Sequence, residues 1–213
     1  MKRILFIVLF IILIILIYLL YVFNYIPHRK YSDKDFNITT YTSSIDVDND
    51  GLDDQSDILD NAFKYISTKP KYKSKYYSSG YPDDEYGVCT DVVGYALKNS
   101  GYDLMELVNS DILEHKEMYD IDKIDKNIDF RRVKNLIVYF KNNSISLTLD
   151  TNDISNWQGG DIVIFKHHIG IISNNRNKKG IPFVIHHYSP YQKYYEEDIL
   201  ESYGEIVGHF RIS

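Results

Sequence analysis

Between Ile4 and Phe23 the chain carries no charged residue and little besides Ile, Leu, Val and Phe. As a helix rising 1.5 Å per residue, such a run crosses a hydrocarbon core of about 30 Å. Lys2 and Arg3 precede it, and the bulky Asn24-Tyr25-Ile26-Pro27 follows in place of a small-residue cleavage pattern. Residues 1–23 therefore read as an uncleaved signal anchor and single-pass transmembrane helix. Lys2 and Arg3 are matched by Arg29 and Lys30 on the other side, which weakens the charge signal for orientation. The adopted reading places the rest of the chain outside the cytoplasm, at the cell membrane.

The residues beyond the span, about 180, are the size of one domain and enough to bury a core. All 30 acidic residues but only 20 of the 24 basic ones lie after residue 30. An acidic domain offers no positive surface for nucleic acid, so that partner class is excluded. A single cysteine, Cys89, allows no internal disulfide. No internal repeat and no zinc-finger spacing occur, and the sequence says nothing of oligomeric state.

Residues 24–45 are polar, lack periodicity and read as a tether, with the fold beginning near Asp46. Helical spacing runs through Ile58, Leu59, Ala62, Phe63 and Ile66, predicting a helix over residues 54–67. A tyrosine-rich loop, residues 69–85, leads to a helix from Cys89 to Lys98 with Val92, Val93, Ala96 and Leu97 on one face. Helices are also expected over Leu104–Glu117 and Arg132–Asn142. The pattern then changes to short β-prone runs at residues 161–165, 168–172, 182–186 and 206–211. Helices first and strands second predict an α+β domain, its mostly antiparallel sheet packed by the helices.

Cys89 falls at the start of its helix, where unpaired N–H groups and the helix dipole favour a thiolate. His168 opens one strand and His186 closes the next, so antiparallel pairing across a turn through residues 174–180 lets one imidazole orient the other. Nucleophile, base and orienting group would then come together by folding. Taken singly, a lone cysteine is more often a buried small hydrophobe and a strand-end histidine more often structural. The histidine pairs could equally hold a metal, with no third ligand placed by local spacing.

A second constellation lies earlier. Asp46, Asp48, Asp50, Asp54 and Asp57 occupy positions 1, 3, 5, 9 and 12 of a loop spanning residues 46–57, with Gly51 at position 6. That is calcium-loop spacing, with a short Asp where a longer bidentate Glu is usual and no obvious helix ahead of it. The plain alternative is a solvated acidic turn capping the next helix. No organic cofactor is indicated; calcium is the one ion the pattern suggests.

The segments Gly87-Val88-Cys89-Thr90-Asp91, Asn127-Ile128-Asp129-Phe130-Arg131-Arg132, Trp157-Gln158-Gly159-Gly160-Asp161, His168-Ile169-Gly170-Ile171, Val184-Ile185-His186 and Gly208-His209-Phe210-Arg211 resemble, in this order, the bacterial DUF1287 family. That family is in turn similar to NlpC-type papain-like cell-wall peptidases. The resemblance implies a papain-like fold over roughly residues 50–212, with Cys89 as nucleophile, His168 as base and His186 as orienting residue. His167 and His187 take no role in it. Thr90-Asp91 stands where the peptidases carry Ser-Gly or Ser-Ala, a departure that bears on substrate more than on chemistry. Tyr86, Asp91, Asp129, Arg131 and Arg132 are further candidates for substrate contact or support; an internal salt-bridge network among the last three is an equal alternative.

The expectation is a membrane-anchored, extracytoplasmic cysteine hydrolase that cleaves amide bonds in cell-wall or related peptides through Cys-His-His chemistry. Two rivals stay open: a catalytically inactive, calcium-dependent surface-binding module, and a histidine-ligated metal hydrolase.

Overall fold

The computed structural model describes residues 2–212. Its helices are α1 (Lys2–Val22), α2 (Asp54–Ser67), α3 (Cys89–Asn99), α4 (Leu104–Glu114), α5 (Lys126–Asp129) and α6 (Val133–Asn143). The strands are β1 (Lys71–Tyr72), β2 (Tyr86–Gly87), β3 (Ile145–Ser146), β4 (Ile162–Phe165), β5 (His168–Arg176), β6 (Pro182–Ile185), β7 (Glu196–Glu197) and β8 (Ile206–Arg211). The mixed α+β class and the antiparallel sheet match the sequence expectation. β1 and β2 form a small parallel pair, and the other six strands make one antiparallel sheet in the order β3-β8-β4-β5-β6-β7.

Helix α1 has no buried residue and is long and apolar enough to cross a membrane, compatible with either an anchor or a signal peptide.

Alternation along the strands divides the sheet between two apolar clusters. Ile162, Ile164, Ile169, Ile171 and Ile185 meet the buried faces of α2, α3, α4 and α6. Val163, Phe165, Ile172 and Val184 point the other way, to Trp157, Ile181, Ile199 and Leu200. β4 is buried on both faces, which is why its sequence is a continuous apolar run.

Local chemistry sets the helix starts. The Asp53 carboxylate accepts from the Ser56 amide, and Asp103 caps α4 in the same way through Met105. α3 follows Val88, which cannot cap; Asp91 reaches back instead, its Oδ2 accepting from the Val88 amide at 2.8 Å. The helix expected to reach Glu117 ends at Glu114 and continues as a 3-10 turn, Lys116–Met118. There Asp111 accepts from Tyr119, Asn142 and Asn143, folding the chain back onto α4 and α6.

The residues expected to form a tether are packed against the domain from His28 onward, where His28 meets Asp198 and Lys30 pairs with Glu196. Tyr31 exchanges both backbone hydrogen bonds with Arg176, at 2.9 and 2.8 Å. The Arg176 guanidinium is buried, pairs with Asp33 and donates to the carbonyls of Ile154, Trp157 and Gly180. Further along, the Tyr41 amide donates to Gln158 at 2.9 Å. A polar strap reads as a linker in the sequence because these partners lie more than a hundred residues away.

The third and last of the sequence motifs meet at one buried carboxylate. Asp161 accepts from Arg211 through Nε (2.7 Å) and Nη2 (2.8 Å), from Gln55 Nε2 (2.9 Å) and from the Gln158 amide (2.8 Å). His209 Nε2 lies 3.0 Å from the same group, and the His209 ring stacks on Trp157 at 3.7 Å. This cluster locks α2, β4 and β8 together.

Candidate functional site

Cys89 is the first residue of α3 and partly exposed. Its sulfur faces the start of β5, where the backbone amide of Ile169 points at it, together with the amides of Thr90 and Cys89 itself. The hydroxyls of Tyr72 and Tyr203 lie within electrostatic range of the thiol. Tyr203 also packs on the His168 ring at 4.6 Å.

His168 and His186 are both buried, and His168 Nε2 lies 3.0 Å from His186 Nδ1. The pairing of β5 with β6 places them together: Ile171 sits opposite Ile185, so the next step brings Gly170 opposite His186. A Cβ at Gly170 would fall 2.6 Å from Val184 Cγ1 and 2.8 Å from the Ile185 carbonyl, so a side chain there would push β6 and His186 away. His186 Nε2 in turn lies 3.0 Å from Glu197 Oε2. Gln192 closes the end of the chain, its Nε2 donating to the His186 carbonyl at 3.1 Å.

This chain fixes tautomers. An ionised Glu197 can only accept, so His186 Nε2 carries the proton and His186 Nδ1 accepts from His168 Nε2–H. His168 Nδ1 is then left with its lone pair, the state a base requires. If Glu197 is protonated the relay reverses, and His168 Nδ1 becomes a donor.

Burial governs the protonation states. It pushes Cys89 up to about 11; the three amides pull the other way, and Asp91 adds to the rise. The expected lowering of the thiol by its helix start is thus outweighed by desolvation. Burial also holds His168, His186 and His187 well below the ordinary histidine value, with neighbouring imidazoles adding to the effect for His168 and His187. Burial raises Glu197 to about 7, against opposing contributions from Gln192 and His28. Burial thus opposes charge on the thiol and on the imidazoles alike.

A cleft of about 380 Å³ has walls that include Lys71, Tyr72, Tyr86, His187, Ser189 and Gln192. His187 contributes a buried Nδ1 with no hydrogen-bond partner, and its ring meets Tyr72 edge-on at 5.2 Å. His167 is exposed in the β4–β5 turn.

The remaining candidates divide. Tyr86 lines the cleft, with Lys73 and Lys75 over its ring. Asp91 and Arg131 form a buried bidentate pair at 2.6 and 2.9 Å, and Arg131 also holds the Lys75 carbonyl at 2.7 Å. Asp129 is buried and accepts from the Asp125 amide at 2.7 Å, while the more exposed Arg132 lies 3.2 Å from its other oxygen. Asp91, Asp129 and Arg131 are therefore internal braces that set the start of α3 and the loop before it.

In the acidic loop, donor oxygens of Asp46, Asp48 and Asp50 lie within 4.8 Å of one another. Asp54 departs from the expected ligand set, because its Oδ1 accepts from the Val47 amide at 2.9 Å and its Oδ2 from Tyr102. Asp57 stands in the first turn of α2, buried, with Oδ2 unpartnered.

Sequence reading missed Glu197, Gln192, Tyr72 and Tyr203. Glu197 lies in a two-residue strand after an irregular segment, too short for any periodicity to announce it.

The model of the family described as "Domain of unknown function (DUF1287)" matches residues 59–212. The chain is 35% identical to "Uncharacterized protein YijF" of Escherichia coli (strain K12) over 167 residues, which covers 72% of this chain and 80% of that protein. No solved structure gives a significant match.

Proposed function

The chain belongs to the DUF1287 family, and we propose that it is a membrane-anchored cysteine hydrolase of papain-like, NlpC-type architecture acting on amide bonds of cell-wall or related peptides outside the cytoplasm. The carrying observation is the hydrogen-bonded run Glu197–His186–His168, with 3.0 Å at each step, ending beside the residue whose amide points at Cys89.

In this mechanism the peptide carbonyl enters the cleft beside Tyr72 and Tyr86. The Cys89 sulfur bonds to the carbonyl carbon as its proton passes to His168 Nδ1, so no resting ion pair is needed. The Cys89 amide, at a helix start, is placed to donate to the oxygen as it gains charge. His168 returns the proton to the amine nitrogen as the C–N bond breaks, leaving a thioester. Water then attacks the thioester carbon, giving its proton to His168, and the sulfur departs with a proton restored. His186 holds the imidazole in the tautomer that Glu197 sets. Tyrosines, a lysine and amide groups suit the cleft to a polar peptide rather than an acyl chain.

Full-length protein in detergent should release new amino termini from peptidoglycan-derived peptides, detected by mass spectrometry, and Cys89→Ala should abolish release. Alkylation of Cys89 should slow in His168→Ala. No cleavage, together with an alkylation rate indifferent to His168→Ala, would sink the proposal in favour of a silent binding module. Inhibition by chelators with indifference to thiol alkylation would point to a metal hydrolase.

A further inference from the structure

We infer that residues 46–57 bind calcium, with Asp46, Asp48, Asp50 and Asp57 as carboxylate ligands, and that the ion ties the strap to α2 and α3. Converging carboxylates on a surface loop are common and carry no such conclusion by themselves. Asp57 supplies the independent observation. It is only 3% exposed, its Oδ1 is held by Asn61 Nδ2 at 2.8 Å, and its Oδ2 is buried with no partner. Burial pushes this carboxyl up and the charges of Asp50 and Asp48 add to the rise, while the Ser100 hydroxyl and Lys64 act against it. Asp57 stands outside the group of three that lies within 4.8 Å, but a buried carboxylate oxygen without a donor, within the electrostatic reach of two further anions, is costly unless a cation offsets their charge.

The sequence positions agree with that geometry. Asp57 is residue 12 of a loop beginning at Asp46, and it sits in the first turn of the helix that leaves the loop. Gly51, at position 6, has φ +94 with nothing within 4 Å of where a Cβ would lie, so backbone conformation rather than space calls for glycine. The Asp46 oxygens already accept from the amides of Asp50 (3.2 Å) and Gly51 (3.0 Å), which holds the turn ready. Asp54, engaged with Val47 and Tyr102, braces the loop from outside the ligand set.

An all-oxygen donor set selects a hard cation, and a flexible loop without rigid octahedral geometry favours calcium over magnesium. A short Asp at position 12 cannot reach as a bidentate Glu does, which sets affinity in the weak range of about 0.1–1 mM. The loop lies on the end of α3 opposite Cys89: a Cβ at Gly101 would come within 2.9 Å of Val47 and 3.3 Å of Asp48. The ion thus joins the strap to the far end of the helix that carries the thiol.

The test is calcium titration of the full chain in detergent after chelator treatment, read by calorimetry and by melting temperature, with magnesium as comparator. Saturable heat and a melting temperature higher by on the order of 5 °C at about 10 mM calcium are expected, with magnesium giving less. Asp57→Asn should weaken calcium binding at least tenfold and yet melt above the native protein in chelator, because one crowded charge is gone. Asp48→Asn, at an exposed position, gives the same reading of affinity should the first variant fail to fold. No heat and no melting shift with the native chain overturns the site, and an equal magnesium response overturns its identity as calcium.

Discussion

Two buried histidine–carboxylate pairs, alike in distance, face different fates in this molecule. His209 Nε2 lies 3.0 Å from Asp161 and His186 Nε2 lies 3.0 Å from Glu197. Asp161 also receives the Arg211 guanidinium through two hydrogen bonds, with Gln55 and the Gln158 amide completing its shell. Around Glu197 the hydrogen-bonding neighbours are His186 and Gln192, and burial raises its carboxyl to about 7. A neutralised, saturated carboxylate is a lock. One left without a cation keeps a proton within reach of ordinary pH, and that proton decides which way the imidazoles beyond it point.

The contrast is sharpest if the lock is opened. Asp161→Ala leaves the Arg211 guanidinium buried without its counter-charge and should lower unfolding free energy by about 3–5 kcal/mol, measured by denaturant unfolding in detergent. A loss below about 1 kcal/mol would erase the distinction between the two pairs. Glu197→Gln should act in the opposite place. Its amide donates to His186 Nε2, imitates the protonated acid and gives His168 the wrong tautomer, so Cys89 alkylation and peptide cleavage should fall about 10²-fold or more. Stability should stay within about 1 kcal/mol of the native chain. In the native protein both rates should rise with pH through about 7, as Glu197 ionises, and this limb should vanish in the variant. A limb that persists would remove Glu197 from the relay.

Gly170→Ala tests the register behind that relay. The new methyl meets Val184 and the Ile185 carbonyl, so an overpacking cost of about 1–3 kcal/mol is expected, with a slower alkylation rate as His186 is displaced.

The smallest effect is on stability against pH. His168, His186 and His187 have depressed values in the fold, so their contribution is complete above about pH 6.5 and is lost as pH falls toward those lower values. Glu197, raised, contributes in the opposite sense: its part is present below the unfolded carboxyl value and lost as pH rises through about 7. With three histidines against one carboxyl, melting temperature should drop between pH 7 and pH 5. A flat profile would mean the imidazoles are solvated.

What the sequence revealed follows from the range of each interaction. α2 appears at its observed bounds and α3 within a residue, because Ile58, Leu59 and Ala62, or Val92, Val93 and Ala96, repeat at the period of the helix itself. The β4 run is legible because both its faces are buried. The Cys89, His168 and His186 grouping is readable from a thiol at a helix start and histidines at the ends of successive strands, with motif resemblance adding to it, and the meeting of the two histidines depends on the register of β5 with β6. Glu197 and the Arg176–Asp33 pair were out of reach: a two-residue strand has no period, and a polar strap looks like a linker until its distant partner is known. Burial, which pushes the Cys89 thiol up against the pull of its helix start, is not legible in the sequence as local helix electrostatics is.

The strap reaches further than packing. His28 lies 3.3 Å from Asp198 and Lys30 pairs with Glu196, so the stretch directly after α1 grips both neighbours of Glu197. If α1 lies in a bilayer, as the proposed function has it, this grip keeps the cleft on a short leash near the lipid surface, and cutting the chain between Val22 and Tyr31 should slacken the hands that steady Glu197. Under the proposed mechanism, release from the membrane would then change the tempo of the chemistry as well as its address.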